Sequence, residues 1–156
     1  MLSLPMLAFK IEGMEDSIEL TIDEVWGYPH ETNYGGGYAA KGTLSIHVGE
    51  YAVNNATHYF TTGEIYGFLQ QLQHCYKTLE GTAVLKNTER ELQLTCLFNR
   101  RGHVLVEGSF QSNPALKNIL SFEFSTDQTQ IPQILSSLSM VASIFGGNHG
   151  VENQPS

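Results

Sequence analysis

Positive charge is what this sequence has least of: eight Lys and Arg stand against sixteen Asp and Glu, a formal net charge of −8 at pH 7. Phosphate backbones are held by clustered cations, and the one adjacent pair is Arg100-Arg101. The composition therefore argues against a nucleic-acid binder. Cysteine is scarce as well. Cys75 and Cys96 make no disulfide framework, and each falls on an apolar stripe of its element, as buried reduced thiols of a cytoplasmic protein would. No apolar run approaches the roughly 20 residues of a membrane-spanning helix. The apolar opening MLSLPMLAF lacks a basic flank, carries Pro5 and is followed by no small-residue cleavage site, so it reads as a first strand rather than a signal peptide.

The signatures of common chemistries are missing too. A phosphate-binding loop needs its glycines followed by Lys-Ser/Thr at the mouth of a helix, whereas Lys41 is followed by Gly42 and a strand. The dinucleotide-binding glycine pattern fails for the same reason. The six histidines (His30, His47, His58, His74, His103 and His149) are scattered, with no helical i, i+4 pair and no Cys-x-x-Cys, so neither a metal nor a cofactor is expected. His74 and Cys75 are adjacent on a predicted helix, so their side chains diverge by about 100° and form no nucleophile–base pair. No Gly-x-Ser-x-Gly elbow exists. Glu107 and Glu123 read as solvent-facing members of alternating strands rather than as catalytic acids.

What is present is a foldable core. Apolar residues make up 41% and charged residues 15% of 156, in short runs suited to one domain, expected over residues 1–145 with a flexible tail at 146–156. Ile18, Leu20 and Ile22 alternate with polar residues until the phase breaks at Asp23-Glu24, which predicts a strand with a bulge. Leu44, Ile46 and Val48 form the next strand. Gly49-Glu50 suits a type II′ turn that would place Val48 opposite Tyr51 and Ile46 opposite Val53. Thr61-Thr62-Gly63-Glu64 fits a capping box, and Ile65, Phe68, Leu69, Leu72, Cys75, Tyr76 and Leu79 form one helical stripe that Gly81 would cap. Thr82 to Lys86 reads as a short strand. Leu92 to Phe98 and Val104 to Phe110 then form a hairpin around Arg100-Arg101-Gly102, with Phe98 meeting Val104, Cys96 meeting Val106 and Leu92 meeting Phe110. Leu120, Phe122 and Phe124 make a last strand. A second helix starts between Asp127 and Pro132 and turns Ile134, Leu135, Leu138, Val141 and Ile144 inward. No sequence repeat is visible. Hairpin-length connections predict an α+β fold: one antiparallel sheet with both helices packed on one face.

Between the second and third predicted strands lies GYPHETNYGGGYAAKG, residues 27–42. Gly35-Gly36-Gly37 opens backbone conformations closed to other residues, and Tyr28, Tyr34 and Tyr38 bracket it. On sequence grounds the segment serves equally as an adaptable connector or as a protein-binding loop, since tyrosines give large contact area at low entropy cost. The candidate contact residues are Tyr28, Glu31, Tyr34 and Tyr38, with the acidic Asp23 and Glu24 beside them. The alternative is a small-ligand or enzyme pocket between the sheet and this loop, with His58 and Glu64 as its polar pair.

Taken together, the strand IELTIDEV, the hairpin TLSIHVGEYAV, the helix entry TTGEIYGFLQQLQ, the strands ELQLTCLF and HVLVEGSF, and the closing LSFEFSTDQTQIPQILSSL resemble the WapI-type immunity proteins, over about residues 17–138. The resemblance implies a small bacterial cytoplasmic protein, without catalytic residues, that neutralises the toxic domain of a polymorphic toxin by binding it. The glycine-rich stretch is longer than that family leads one to expect, which implies a subfamily with its own target. An acidic surface suits a basic toxin, because opposite charge speeds association.

Overall fold

The structure, a computed structural model, describes residues 3–87 and 89–148. Four strands lead: β1 (Met6–Glu12), β2 (Ser17–Val25), β3 (Ala39–Val48) and β4 (Tyr51–Thr61). Helix α1 (Thr62–Thr78) follows them. Four more strands come next, β5 (Gly81–Leu85), β6 (Leu92–Phe98), β7 (His103–Phe110) and β8 (Leu120–Asp127), and then helix α2 (Ile131–Phe145). The strands do not form the single sheet expected. They form two four-stranded antiparallel sheets, each in sequential order, β1-β2-β3-β4 and β5-β6-β7-β8. Four strands and a helix thus occur twice, a structural repeat without a sequence repeat. Alternation along a strand reports which side chains face inward and is silent on where one sheet stops.

Within each hairpin the expected registers hold. Val48 pairs with Tyr51 and Ile46 with Val53, and Gly49 takes φ +59° while Glu50 does not, as a type II′ turn requires. Phe98 pairs with Val104, Cys96 with Val106 and Leu92 with Phe110, with Gly102 at φ +83°. The bulge on β2 falls between Ile22 and Glu24. A further bulge, with Asn55 at φ +54°, interrupts the β3–β4 pairing between Leu44 and Ile46.

At the N-terminus of α1, the Thr61 hydroxyl accepts from the Glu64 amide at 3.1 Å and the Glu64 carboxylate from the Thr61 amide at 3.0 Å. Its C-terminus corrects the sequence reading. The left-handed cap is Leu79 at φ 52°, and Gly81, also at positive φ, already begins β5. Asp127 caps a short 3₁₀ turn, Gln128–Gln130, that leads into α2, with Pro132 in its first turn.

The helices pack on each other, α1 also on β5 and α2 on β1, so neither helix lies simply on one face of one sheet. Phe9 of β1 meets Phe68 of α1 with ring centroids 5.7 Å apart. The buried apolar side chains of both halves form one cluster. Gln71 of α1 exchanges two 3.0 Å hydrogen bonds with the backbone of Val84, blunting the edge strand β5 against pairing with another chain. Cys75 and Cys96 are free and buried, and burial raises both thiols, Cys96 to about 12. Gly146 to Asn148 are half-buried, with Gly147 against Tyr66. The rest of the expected tail lies outside the described residues.

Candidate functional site

The glycine-rich connection is a built structure. His30 and Glu31 both donate their amides to the carbonyl of Gly27, Gly36 donates to that of Asn33, and Asn33 donates across the loop to the Gly37 carbonyl. The Asn33 side chain accepts from the Gly35 amide at 2.7 Å. At the closing end, the Tyr38 amide donates to the Thr62 hydroxyl at 2.8 Å and the Thr62 amide to the Tyr38 carbonyl at 2.9 Å. These bonds fasten the loop to the first turn of α1.

Gly36, Gly37 and Gly63 are explained by that attachment. A Cβ on Gly37, which has φ +69°, would lie 2.3 Å from the Gly63 nitrogen. One on Gly63 would lie 2.5 Å from the Gly36 carbonyl oxygen. Backbone is pressed on backbone with no room for side chains, so Gly36 and Gly37 dock the loop rather than cradle a ligand.

The docking sorts the candidate contact residues. Tyr38 is only 5% exposed, and its hydroxyl donates to the Pro29 carbonyl at 3.3 Å, so it supports the loop from beneath and is not presented outward. Tyr28 meets Tyr38 and Phe145 of α2 edge-on, at 5.2 and 5.0 Å between ring centroids, and keeps part of its ring in solvent. Tyr34 is 81% exposed, and Glu31 also points to solvent. Asp23, at the β2 bulge, accepts from the hydroxyls of Thr21 and Thr43, at 3.2 and 2.6 Å, and is half-buried. Glu24 is exposed and pairs with Lys41 at 3.3 Å.

Trp26 was missed by the sequence reasoning. It is 45% exposed at the end of β2 and, with Gly27, Glu31, Thr32, Asn33 and Ala39, lines a groove of about 210 Å³ beside the loop. Its position three residues past the phase break at Asp23 was the available signal, since a bulge re-aims the side chains that follow it. On and beside the loop, Glu24, Trp26, Tyr28, Glu31 and Tyr34 are exposed, and Trp26 and Glu31 line the groove together.

The alternative pocket is not assembled here: neither His58 nor Glu64 lines this groove. Glu64 is engaged in the capping box and accepts from Asn87 at 3.2 Å. His58 is 1% exposed, stacked on Phe60 and edge-on to Phe110, with Nδ1 3.5 Å from Oε1 of Glu91. Among the described residues neither of those two atoms has a hydrogen-bond partner. Burial lowers His58 to about 4 and raises Glu91, so both groups resist charge. Asn87 ties Glu91 to β4, donating to the Tyr59 carbonyl and accepting from the Glu91 amide. The arrangement is a buried fastening between β4 and the second half of the chain. Among the described residues no group of three or more His, Cys, Asp and Glu could hold a metal ion, and no helix is long and apolar enough to cross a membrane.

Among solved structures the chain is similar to the crystal structure of WHY1 from Arabidopsis thaliana, with a TM-score of 0.55 at 9% identity over 94% of each chain. The likeness establishes a Whirly-like fold and nothing more. The MRP1/MRP2 structures of Trypanosoma bruciei align with a TM-score of 0.46 at 10% identity, over 89% of this chain and 84% of that one. No curated protein matches the chain. The family model described as "Immunity protein WapI-like family" matches residues 9–146, which is most of the sequence. The chain belongs to the Immunity protein WapI-like family.

Proposed function

We propose that this protein neutralises a basic toxin domain by binding it, without catalysis, through the face that displays Trp26, Tyr28, Glu31 and Tyr34, flanked by Glu24. Membership of an immunity-protein family supports a toxin partner. The location rests on one observation: exposed aromatic rings stand on a loop whose backbone is already fastened to α1. Such a loop loses little further freedom on binding, and aromatic side chains are the usual anchors of an interface. The net charge of −8 favours a cationic partner and speeds encounter with it.

The test is binding of the purified protein to the toxin C-terminal domain encoded beside its gene, by calorimetry, with rescue of growth on co-expression. A stoichiometric complex that abolishes toxicity is expected. Toxicity undiminished by an equimolar amount of folded protein would refute the reading.

A further inference from the structure

We propose that the outer face of the second sheet is a further docking surface, one that receives a basic segment of the same partner, with Lys or Arg stems on Leu97 and Leu105 and a cationic head at Glu107 and Glu123. The inference rests on the immunity reading but concerns a face that the glycine-rich loop does not share.

Strands β5 to β8 contain no Lys or Arg, whereas β7 and β8 turn Glu107, Glu123 and Asp127 outward. Glu107 and Glu123 are direct cross-strand partners, and the residue on the other side of Glu107 is Thr95. Like charges placed directly opposite one another destabilise a sheet, and no strand neighbour offsets these. A lysine at either position would relieve the repulsion, so this face keeps its negative charge against its own stability.

The shape fits the charge. One row along, Leu97, Leu105 and Ser125 lie side by side, and the two leucines are half-buried. They floor a groove of about 730 Å³ rimmed by Glu12, His103 and Asp127. Its wall is the β1–β2 turn, which is pressed onto β8: a Cβ on Gly13 would lie 2.7 Å from the Ser125 carbonyl oxygen, and the Thr126 hydroxyl donates to the Glu12 carbonyl at 2.7 Å. Met14 stands fully exposed at the lip. A second hollow, of about 510 Å³, lies over Glu107 and Glu123 among Gln93, Thr95, Ser109 and Ser121. Hydrogen bonds from Thr129 hold the Asp127 carboxyl below the usual range, so the rim stays anionic. Lys10 approaches Glu12 at 3.8 Å from the first sheet, and both are exposed. An apolar floor bordered by carboxylates matches side chains that are apolar along the stem and cationic at the tip. An anionic or wholly apolar partner would leave the carboxylates desolvated without compensation.

The deciding variant is Glu107→Gln/Glu123→Gln. Removing the repulsion leaves Tm unchanged or raised, while affinity for the toxin domain falls about tenfold and loses much of its salt dependence. Loss of binding with retained Tm excludes misfolding as the cause. Amide NMR of the isotope-labelled protein with the unlabelled toxin domain should also move Leu97, Leu105, Glu107 and Glu123. Unchanged affinity, or unmoved amides on this face, overturns the proposal while leaving the immunity reading intact. If the toxin domain fails to bind the unaltered protein, the immunity reading falls. The surface is then judged by an amidated Gly-Arg-Gly-Arg-Gly peptide, which must shift those amides saturably where its glutamine counterpart does not.

Discussion

Tyr34 and Tyr38 are four residues apart, alike in composition and opposite in environment: one is 81% exposed, the other 5%. Tyr34→Ala is expected to weaken toxin binding about tenfold or more with Tm unchanged, as for a central interface aromatic. Tyr38→Ala removes a buried ring and should cost about 3 kcal/mol of stability, read by urea unfolding. Equal effects of the two on Tm would contradict the sorting. His58 is the other residue with a distinct signature. Its folded pKa, about 4, lies below the ordinary 6.5, so the unfolded chain takes up a proton first as pH falls. Stability from this group is whole above pH 6.5 and is lost progressively toward pH 4. Glu91, raised by burial, works the other way: the folded state binds its proton first, returning some stability as pH falls through the raised value toward 4.5. Urea unfolding at pH 7.5 and 5.0 should show a loss of up to about 2 kcal/mol, absent in His58→Phe. Parallel pH slopes in the two proteins would assign the loss to another group.

At the scale of elements, the decisive contact joins the glycine-rich loop to the first turn of α1. Gly37→Ala combines positive φ with a clash against the Gly63 backbone, and backbone cannot swing aside as a side chain tip would. The expected loss is about 2 to 3 kcal/mol, together with increased amide exchange from Asn33 to Tyr38 and weaker toxin binding. Native stability and exchange in that variant would mean that the loop does not depend on this contact. The capping box, the hairpin registers and the β2 bulge were readable because each depends on residues adjacent in the chain or facing across a short turn. The partners of the loop were not, because Thr62 lies 24 positions beyond Tyr38, which it fastens.

At the scale of the molecule, the two sheets and two helices share one apolar cluster. Leu72, fully buried in α1, contributes to it, and Leu72→Ala should cost about 3 kcal/mol. The variant should unfold in one transition, with Trp26 fluorescence in the first half coincident with amide signals from β6 and β7 in the second. Two separated midpoints would show that the halves fold as separate units. Net charge acts at this scale as well. With −8 on the chain, association with a basic toxin domain should slow as salt is raised, while dissociation changes less.

The sequence by itself determined the succession of strands and helices along the chain, the pairing inside the β3–β4 and β6–β7 hairpins, the place of both helices and the acidic net charge. All of these follow from local periodicity, turn chemistry and composition. Only the tertiary structure decided that eight strands divide into two sheets, that Tyr38 is buried while Trp26 emerges, that His58 meets Glu91 rather than Glu64, and that Gly36 and Gly37 serve a close backbone approach to Gly63. Each depends on which surfaces meet after long stretches of intervening chain, and a one-dimensional pattern records that a side chain is to be buried without recording what will cover it.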